Sequence, residues 1–272
     1  MLNLFKILEE ESARGISCAM CVIVSTQGST PLKTGARMLV TEQGKLFGTI
    51  GGGNLEKKVI ENSMEMIAAK ESKLFRHNLL QQHGMCCGGT VDVFIECMMP
   101  PEKLYIFGAG HVGRALANYA ADLSFQVYVI DSRAEELNRI QNNVINKLPL
   151  TYDRLLPSLP FDQRSYIAIM TYDHQIDREI LAYCLKKPFA YLGMIGSKRK
   201  VEVTRKKFLS TQLYSIEELS RVDMPMGYNT GATGPEEIAI SILAKIIEEK
   251  NKQKTFQEKE VLQHPSPLVS AQ

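Results

Sequence analysis

Hydrophobic and polar positions along the chain change rhythm near residue 100. Before that point, Leu2 to Glu11 mixes apolar and acidic residues as a short amphipathic helix does. Three strands are predicted, at Cys18 to Thr26, Ala36 to Thr41 and the alternating run Val91 to Cys97. A helix from Asn54 to Lys70 carries Leu55, Val59, Met66 and Ile67 at helical spacing. The seam is Met98-Met99-Pro100-Pro101-Glu102-Lys103, where paired prolines stop a strand and stiffen a linker. Beyond it, strand and helix signals alternate. Leu104–Phe107 leads to a helix at Val112–Asp122 and a strand at Gln126–Ile130. Tyr166–Met170 then leads to a helix at Ile176–Lys186 and a strand at Phe189–Ile195. That order predicts a parallel doubly wound sheet. The expected fold class is therefore α/β, with a smaller α+β domain over 1–99 and a Rossmann-like domain over 103–250. Residues 251–272, polar and carrying Pro265 and Pro267, are expected to form a loose tail.

Two glycine-rich loops about sixty residues apart each open a predicted helix: Gly48-Thr49-Ile50-Gly51-Gly52-Gly53 and Gly108-Ala109-Gly110-His111-Val112-Gly113. At a helix start, unpaired backbone N–H groups and the positive dipole end favour phosphate. Two such cradles predict a phosphorylated cofactor. Gly108, Gly110 and Gly113 follow a strand and precede a second strand that ends at Asp131, the setting of a dinucleotide loop. His111 sits between the glycines. Asp131 is expected to bind ribose hydroxyls and to favour NAD over NADP, with Arg133 close by as a competing signal. The Gly51, Gly52, Gly53 loop lacks the Lys-Ser/Thr ending of a P-loop, and Glu56 suits the first turn of its helix as a cap. Lys33 and Arg37, in the turn Gly28 to Arg37, are candidates to face an anion. A redox role is not established by a Rossmann loop alone.

The formal net charge of +2 over 272 residues argues against nucleic acid as the main partner. No apolar run approaches the roughly eighteen residues of a membrane span. Six cysteines without a secretory signal point to reduced thiols in the cytoplasm. Cys18 and Cys21 lie three apart in a strand and so face opposite sides, which predicts core packing and no redox pair; Cys97 and Cys184 read the same way. Cys86-Cys87 differs, because Gly84 and Gly88-Gly89 flank it and offer N–H groups to a thiolate. The five histidines suggest no zinc set. Asp173-His174 follows a strand end at the edge where α/β proteins bind ligands, Asp173 being equally suited to cap the next helix.

The Gly28–Met38 turn, the Gly48–Glu56 loop, Gly84–Gly89, the Gly108–Gly113 fingerprint, Tyr191-Leu192-Gly193-Met194-Ile195-Gly196-Ser197-Lys198-Arg199-Lys200, Pro225-Met226-Gly227 and Pro235-Glu236-Glu237-Ile238-Ala239 occur in that order. As an ensemble over about residues 10 to 250 they resemble the XdhC/CoxI family, accessory proteins of xanthine dehydrogenase and carbon monoxide dehydrogenase. The resemblance implies an XdhC domain followed by a Rossmann domain. It also implies a cytoplasmic maturation factor and chaperone that binds molybdenum cofactor (molybdopterin), helps its sulfuration, and inserts it into a xanthine dehydrogenase-like hydroxylase. Cys87 matches the family's glycine-flanked cysteine and is the expected ligand of the cofactor's molybdenum. A cysteine desulfurase and a second copy of the chain are the other partners it implies, with neither nucleic acid nor membrane among them. Three departures stand out: Pro31-Leu32 replaces Pro-Arg, Asn229 replaces an aspartate, and Gly234 stands where threonine is common. Two other readings stay open, an NAD(P)-dependent oxidoreductase using Asp173 or His174, and a nucleotide-sensing regulator without catalysis.

Overall fold

The structure is a computed structural model that describes residues 3–80 and 88–263, with side chains as far as residue 252. The chain divides into two compact units at Pro101/Glu102, within the proline-bearing seam.

The first unit is built on an antiparallel sheet. Its strands are β1 (Cys18–Gln27), β2 (Arg37–Thr41), β3 (Leu46–Gly48), β4 (Lys73–Asn78) and β5 (Thr90–Met98), in the order β3-β2-β1-β5-β4. The long β1 is central, with Cys18 opposite both Thr41 and Met98. Its alternation buries one row on each face. Ala19, Cys21 and Ile23 pack with Leu55, Val59, Met66 and Ile67 of α2 (Gly53–Ala69). Cys18 and Met20 pack on the other face with Leu4, Ile7 and Leu8 of α1 (Leu4–Ala13). The two thiols thus do face opposite cores. Burial pushes both up to about 11, and Cys184 to about 12, so none is a ready thiolate. Strands β3 and β4 carry no clear sequence pattern. Both are edge strands with mostly exposed side chains, so pairing with their neighbours defines them. Asp92 of β5 ties this edge together, accepting from Arg76 of β4 and from Ser25 of β1.

The second unit has a parallel sheet of β6 (Glu102–Phe107), β7 (Phe125–Ile130), β8 (Asn146–Leu148), β9 (Ser165–Ile169) and β10 (Tyr191–Met194), in the order β10-β9-β6-β7-β8. Strand order reverses at β6, which places a switch point between the carboxyl ends of β6 and β9, where open α/β sheets take ligands. Strand β6 is buried on both faces, as parallel strands are. Leu104 and Ile106 pack with α3 (His111–Ala121), and with Ala239, Ile242 and Ile246 of α9 (Pro235–Gln263). Tyr105 and Phe107 face the opposite core, with α5 (Tyr152–Leu155), α6 (His174–Cys184), α7 (Lys198–Ser210) and α8 (Ile216–Ser220). A short α4 (Ala134–Asn138) follows β7. Helix α9 corrects one boundary, since it runs to Gln263 through the first part of the stretch expected to be loose. Glu, Lys and Gln are good helix formers, and Lys245–Glu248 and Lys252–Glu249 pairs support the last described turns. No described helix is long and apolar enough to cross a membrane.

Two glycines set how closely the β6–α3 turn packs. A Cβ on Gly113 would lie 1.9 Å from the Gly108 carbonyl oxygen, and one on Gly108 would lie 2.3 Å from that of Met170. A Cβ on Gly110 would meet nothing within 4 Å. We therefore expect Gly113→Ala to destabilise the protein by about 3 kcal/mol, because backbone has to move to relieve the overlap. Gly110→Ala should leave the melting temperature within a degree or two. Thermal unfolding of both variants checks the pair, and an equal loss in each would contradict it.

Candidate functional site

The turn from β6 into α3 presents its donors to open space. Among the described residues, the N–H groups of Gly110, His111, Val112 and Gly113 have no acceptor, as the first turn of a helix dictates. His111 is exposed beside them. The loop is held from behind. Gly108 N–H donates to the Ile130 carbonyl at 2.8 Å, and Arg114 donates to the Ala109 carbonyl at 2.9 Å while pairing with Glu136. This cradle fits a phosphate.

Asp131, expected to hold ribose, has a different task here. Its carboxylate is fully buried. Oδ2 accepts from the Ala109 N–H at 2.8 Å and from the Arg133 guanidinium at 2.8 Å. Oδ1 accepts from the Arg133 N–H at 2.9 Å and from Arg133 Nε at 3.0 Å. Burial pushes the carboxyl up, but Arg133 and the two backbone donors outweigh it, leaving the net shift downward. What reaches the surface at the end of β7 is therefore the guanidinium of Arg133. It lies on the Tyr172 ring, 4.5 Å from its centroid. The nearby Arg133, seen in the sequence as a competing signal, covers the acid.

The earlier glycine loop contains its own anion. Glu56 Oε1 accepts from the N–H groups of Gly52 at 2.8 Å and Ile50 at 3.1 Å, and from the Thr49 hydroxyl. Gly51 N–H donates back to Thr49 Oγ1. Burial raises the Glu56 carboxyl, and the bonds from Thr49, Gly52, Ile50 and Gly51 reverse this to a net lowering. Of the donors expected to receive phosphate at Gly51, Gly52 and Gly53, those of Gly51 and Gly52 already serve a side chain. A phosphate on the Ile50 and Gly52 donors would have to displace Glu56, which fills the capping role read for that residue.

A more suitable recess lies next to it, within the first unit. Thr26, Gly28, Ser29, Thr30, Lys33 and Thr34 line an open hollow of about 600 Å³. Two neighbouring loops converge on this turn. Gly51 lies so close to Pro31 that a Cβ would sit 2.7 Å from its Cγ, and Gly89 N–H donates to the Ser29 carbonyl at 3.1 Å. Of the two candidate cations, Lys33 lines the recess and Arg37 stacks on Phe5. Cys86 and Cys87 lie outside the described residues; the described chain resumes at Gly88, directly after Cys87. Among the described residues no group of three metal-ligating side chains exists.

At the carboxyl end of β9, Asp173 caps α6 by accepting from the Gln175 N–H at 2.6 Å. His174 lies 3.1 Å from the buried Asp177 through Nδ1. Sequence reasoning passed over two features at this edge, the inward pairing of Arg133 and the cations Arg178, Arg199 and Lys200 around a cavity at the end of β10. The signal for the cations was Ser197-Lys198-Arg199-Lys200, a capping residue and a basic triplet straight after a buried strand.

Comparison with known proteins agrees with this architecture. Residues 104–246 match the XdhC Rossmann domain, and residues 12–78 match the XdhC and CoxI family. The chain is 35% identical over 256 residues to the uncharacterised YqeB of Escherichia coli K12, covering 92% of this chain and 47% of that protein. It is 30% identical over 167 residues to a Bacillus subtilis protein named as a probable xanthine dehydrogenase subunit, covering 60% and 47%. It therefore spans about half the length of these curated relatives. A solved Bacillus halodurans structure described as a xanthine dehydrogenase shares the fold, with a TM-score of 0.51, 21% identity and 98% of each chain covered. With one half matching the Rossmann domain and the other the partner domain, the chain belongs to the XdhC and CoxI family.

Proposed function

We propose that this protein is an accessory factor of a xanthine dehydrogenase-type molybdenum hydroxylase, and that it holds molybdenum cofactor while the cofactor is sulfurated and passed on. Family membership across both halves supports the accessory role. The observation that carries the binding role is the polar recess at Gly28–Thr34. Lys33 and the hydroxyls of Ser29, Thr30 and Thr34 have the chemistry to hold a phosphate, and the neighbouring glycine loop commits its Ile50 and Gly52 donors to Glu56. When bound, the cofactor supplies the molybdenum centre that a hydroxylase uses. Cys87, two residues before Gly89, is the thiolate we assign to its metal end, a soft ligand for a soft site. A cysteine desulfurase is the sulfur source this role requires.

Protein purified from a molybdenum-replete host should carry molybdenum and pterin in near-equal amounts, measured by metal analysis and pterin fluorescence. Cys87→Ser should fold normally, lose most of the molybdenum, and leave the client hydroxylase inactive. Cys18→Ser should keep both, because that thiol is buried and protonated. A Cys87→Ser variant that retains full metal and activates the client would defeat the assignment.

For the second unit we propose that the Gly108–Gly113 turn takes the phosphates of a nucleotide. The buried Asp131 and outward Arg133 favour one bearing a 2′-phosphate, which a guanidinium attracts and a free carboxylate repels. NADP should raise the melting temperature more than NAD at equal concentration. Arg133→Leu should weaken NADP about tenfold more than NAD, a difference of about 1.4 kcal/mol, and should lower the unliganded melting temperature, because it removes two donors from the buried Asp131. A stronger effect of NAD on the parent protein would overturn the preference. Hydride chemistry is a further claim. Turnover of NADPH with a cofactor-like substrate would favour the oxidoreductase reading over a purely accessory one.

A further inference from the structure

Helices α6 and α7 and the end of β10 enclose a cavity of about 440 Å³. Met194, Ile195 and Val203 give it an apolar wall, with Val203 about half exposed at 54%. Arg178, Arg199, Lys200 and His174 supply its polar lining together with Ser197, Thr204 and Asp177. The charge is one-sided. Among the described residues, neither Arg178 nor Arg199 has a carboxylate partner or a hydrogen bond, while many other basic side chains of this unit are paired. The single acid in the wall does not offset them. Asp177 is buried, and it accepts from the Thr171 N–H at 2.9 Å, the Thr171 hydroxyl at 2.7 Å and His174 Nδ1 at 3.1 Å.

The same network fixes the lysine. With Nδ1–H given to Asp177, the other nitrogen of a neutral His174 has a lone pair, and Nε2 accepts from the Lys200 ammonium. That bond uses one of three N–H groups on Lys200 and leaves two for a ligand. A chain of bonds running Thr171–Asp177–His174–Lys200 therefore holds an otherwise mobile cation at the cavity. Burying Asp177 is costly unless it is fully bonded, and a solvated basic surface needs no such support. Two unpaired guanidiniums and an anchored ammonium converging on one hollow match the charge and fork geometry of a phosphate.

We infer that the cavity between α6 and α7 binds a phosphorylated small molecule, its phosphate held by Arg178, Arg199 and Lys200 and its apolar part lying against Met194, Ile195 and Val203. His174 and Asp177 are positioning residues that hold Lys200. No residue of the Gly108 turn lines the cavity. That turn abuts Met170 and the Thr171 backbone at the end of β9, while this cavity lies beyond Asp177, on the β10 side. It stands independently of the nucleotide and cofactor assignments proposed above. Its size suits a ligand larger than inorganic phosphate, since small-molecule sites run from about 300 Å³ upward.

Calorimetric titration of the full chain with phenyl phosphate, inorganic phosphate and benzoate tests this. Phenyl phosphate should bind most tightly, because it fills both the cationic and the apolar walls. The double variant Arg178→Gln with Arg199→Gln should weaken it at least tenfold, with an unchanged melting temperature in the absence of ligand. Asp177→Asn should weaken it several-fold and Lys200→Gln by about as much, the two together adding little. Gly110→Asp puts a carboxylate at the other cradle and should leave phenyl phosphate affinity unchanged. Benzoate binding as tightly as phenyl phosphate would overturn the phosphate assignment. Absence of binding, full affinity in the double arginine variant, or loss of affinity in Gly110→Asp would each remove the site itself.

Discussion

A carboxylate with no access to water has to be surrounded by donors, and the Rossmann unit is arranged around that requirement at Asp131. Two of the four bonds to this side chain come from backbone, Ala109 N–H in the β6–α3 turn and Arg133 N–H after β7. The other two come from one guanidinium. Together they lock the turn to the neighbouring strand end and fix where the arginine points. Removing any donor would leave part of a buried charge uncompensated, which costs several kcal/mol. The turn therefore has little freedom to shift, and its first-turn N–H groups stay aimed outward. The position of Arg133 over Tyr172 follows from the same constraint.

The acids at other key points also bond inward. Asp177 is held by Thr171 and His174, Glu56 by its own loop, and Asp92 by Arg76 and Ser25. Asp92 is pulled down to about 2, with the Arg76 bond as the main cause. Arg76 is largely exposed, so solvent screens that pair and its contribution to stability is small. The sign is that of a lowered acid: the contribution is complete above the unfolded value and disappears as the pH falls through the folded one. At Asp131 and Asp177 the gain lies less in stability than in geometry, because each orients the cation or imidazole that reaches the ligand side.

Much of this was legible in the sequence, for reasons that differ by element. The stripe Leu55, Val59, Met66, Ile67 declares α2 because a helix with one buried face must repeat near 3.6 residues. Leu104–Phe107 declares a central parallel strand because both of its faces are covered. Gly108 and Gly113 are legible because backbone lies where their side chains would be. Strands β3 and β4 were not, since an edge strand is defined by its partner more than by its own residues. The site was harder to read. A motif places Asp131 at a strand end but does not say whether Arg133, two residues later, lies over it. Arg178 and Arg199 are twenty-one positions apart in sequence and meet only because β10 returns beside β9.

The two glycine loops show why a shared pattern does not imply a shared use. Both open a helix and both carry free N–H groups in the first turn. What differs is the position of the acid. In the first unit Glu56 lies within the helix that the loop begins, one turn in, so it folds back and takes the Ile50 and Gly52 donors of the loop from inside. In the second unit the acid belongs to the next strand and approaches the turn from beneath, taking only the Ala109 N–H. The donors from Gly110 to Gly113 then have no internal partner among the described residues. A carboxylate on the same helix occupies donors of the loop itself, while one beneath the turn makes it rigid and leaves its donors open. In this chain the second arrangement stands at the switch point of a parallel sheet, with Arg133 at one side and the cations of α6 and α7 beyond β9. The carboxyl edge of that sheet therefore offers positive charge outward while its acids bond inward, although the whole chain is close to neutral, with a net charge of +2.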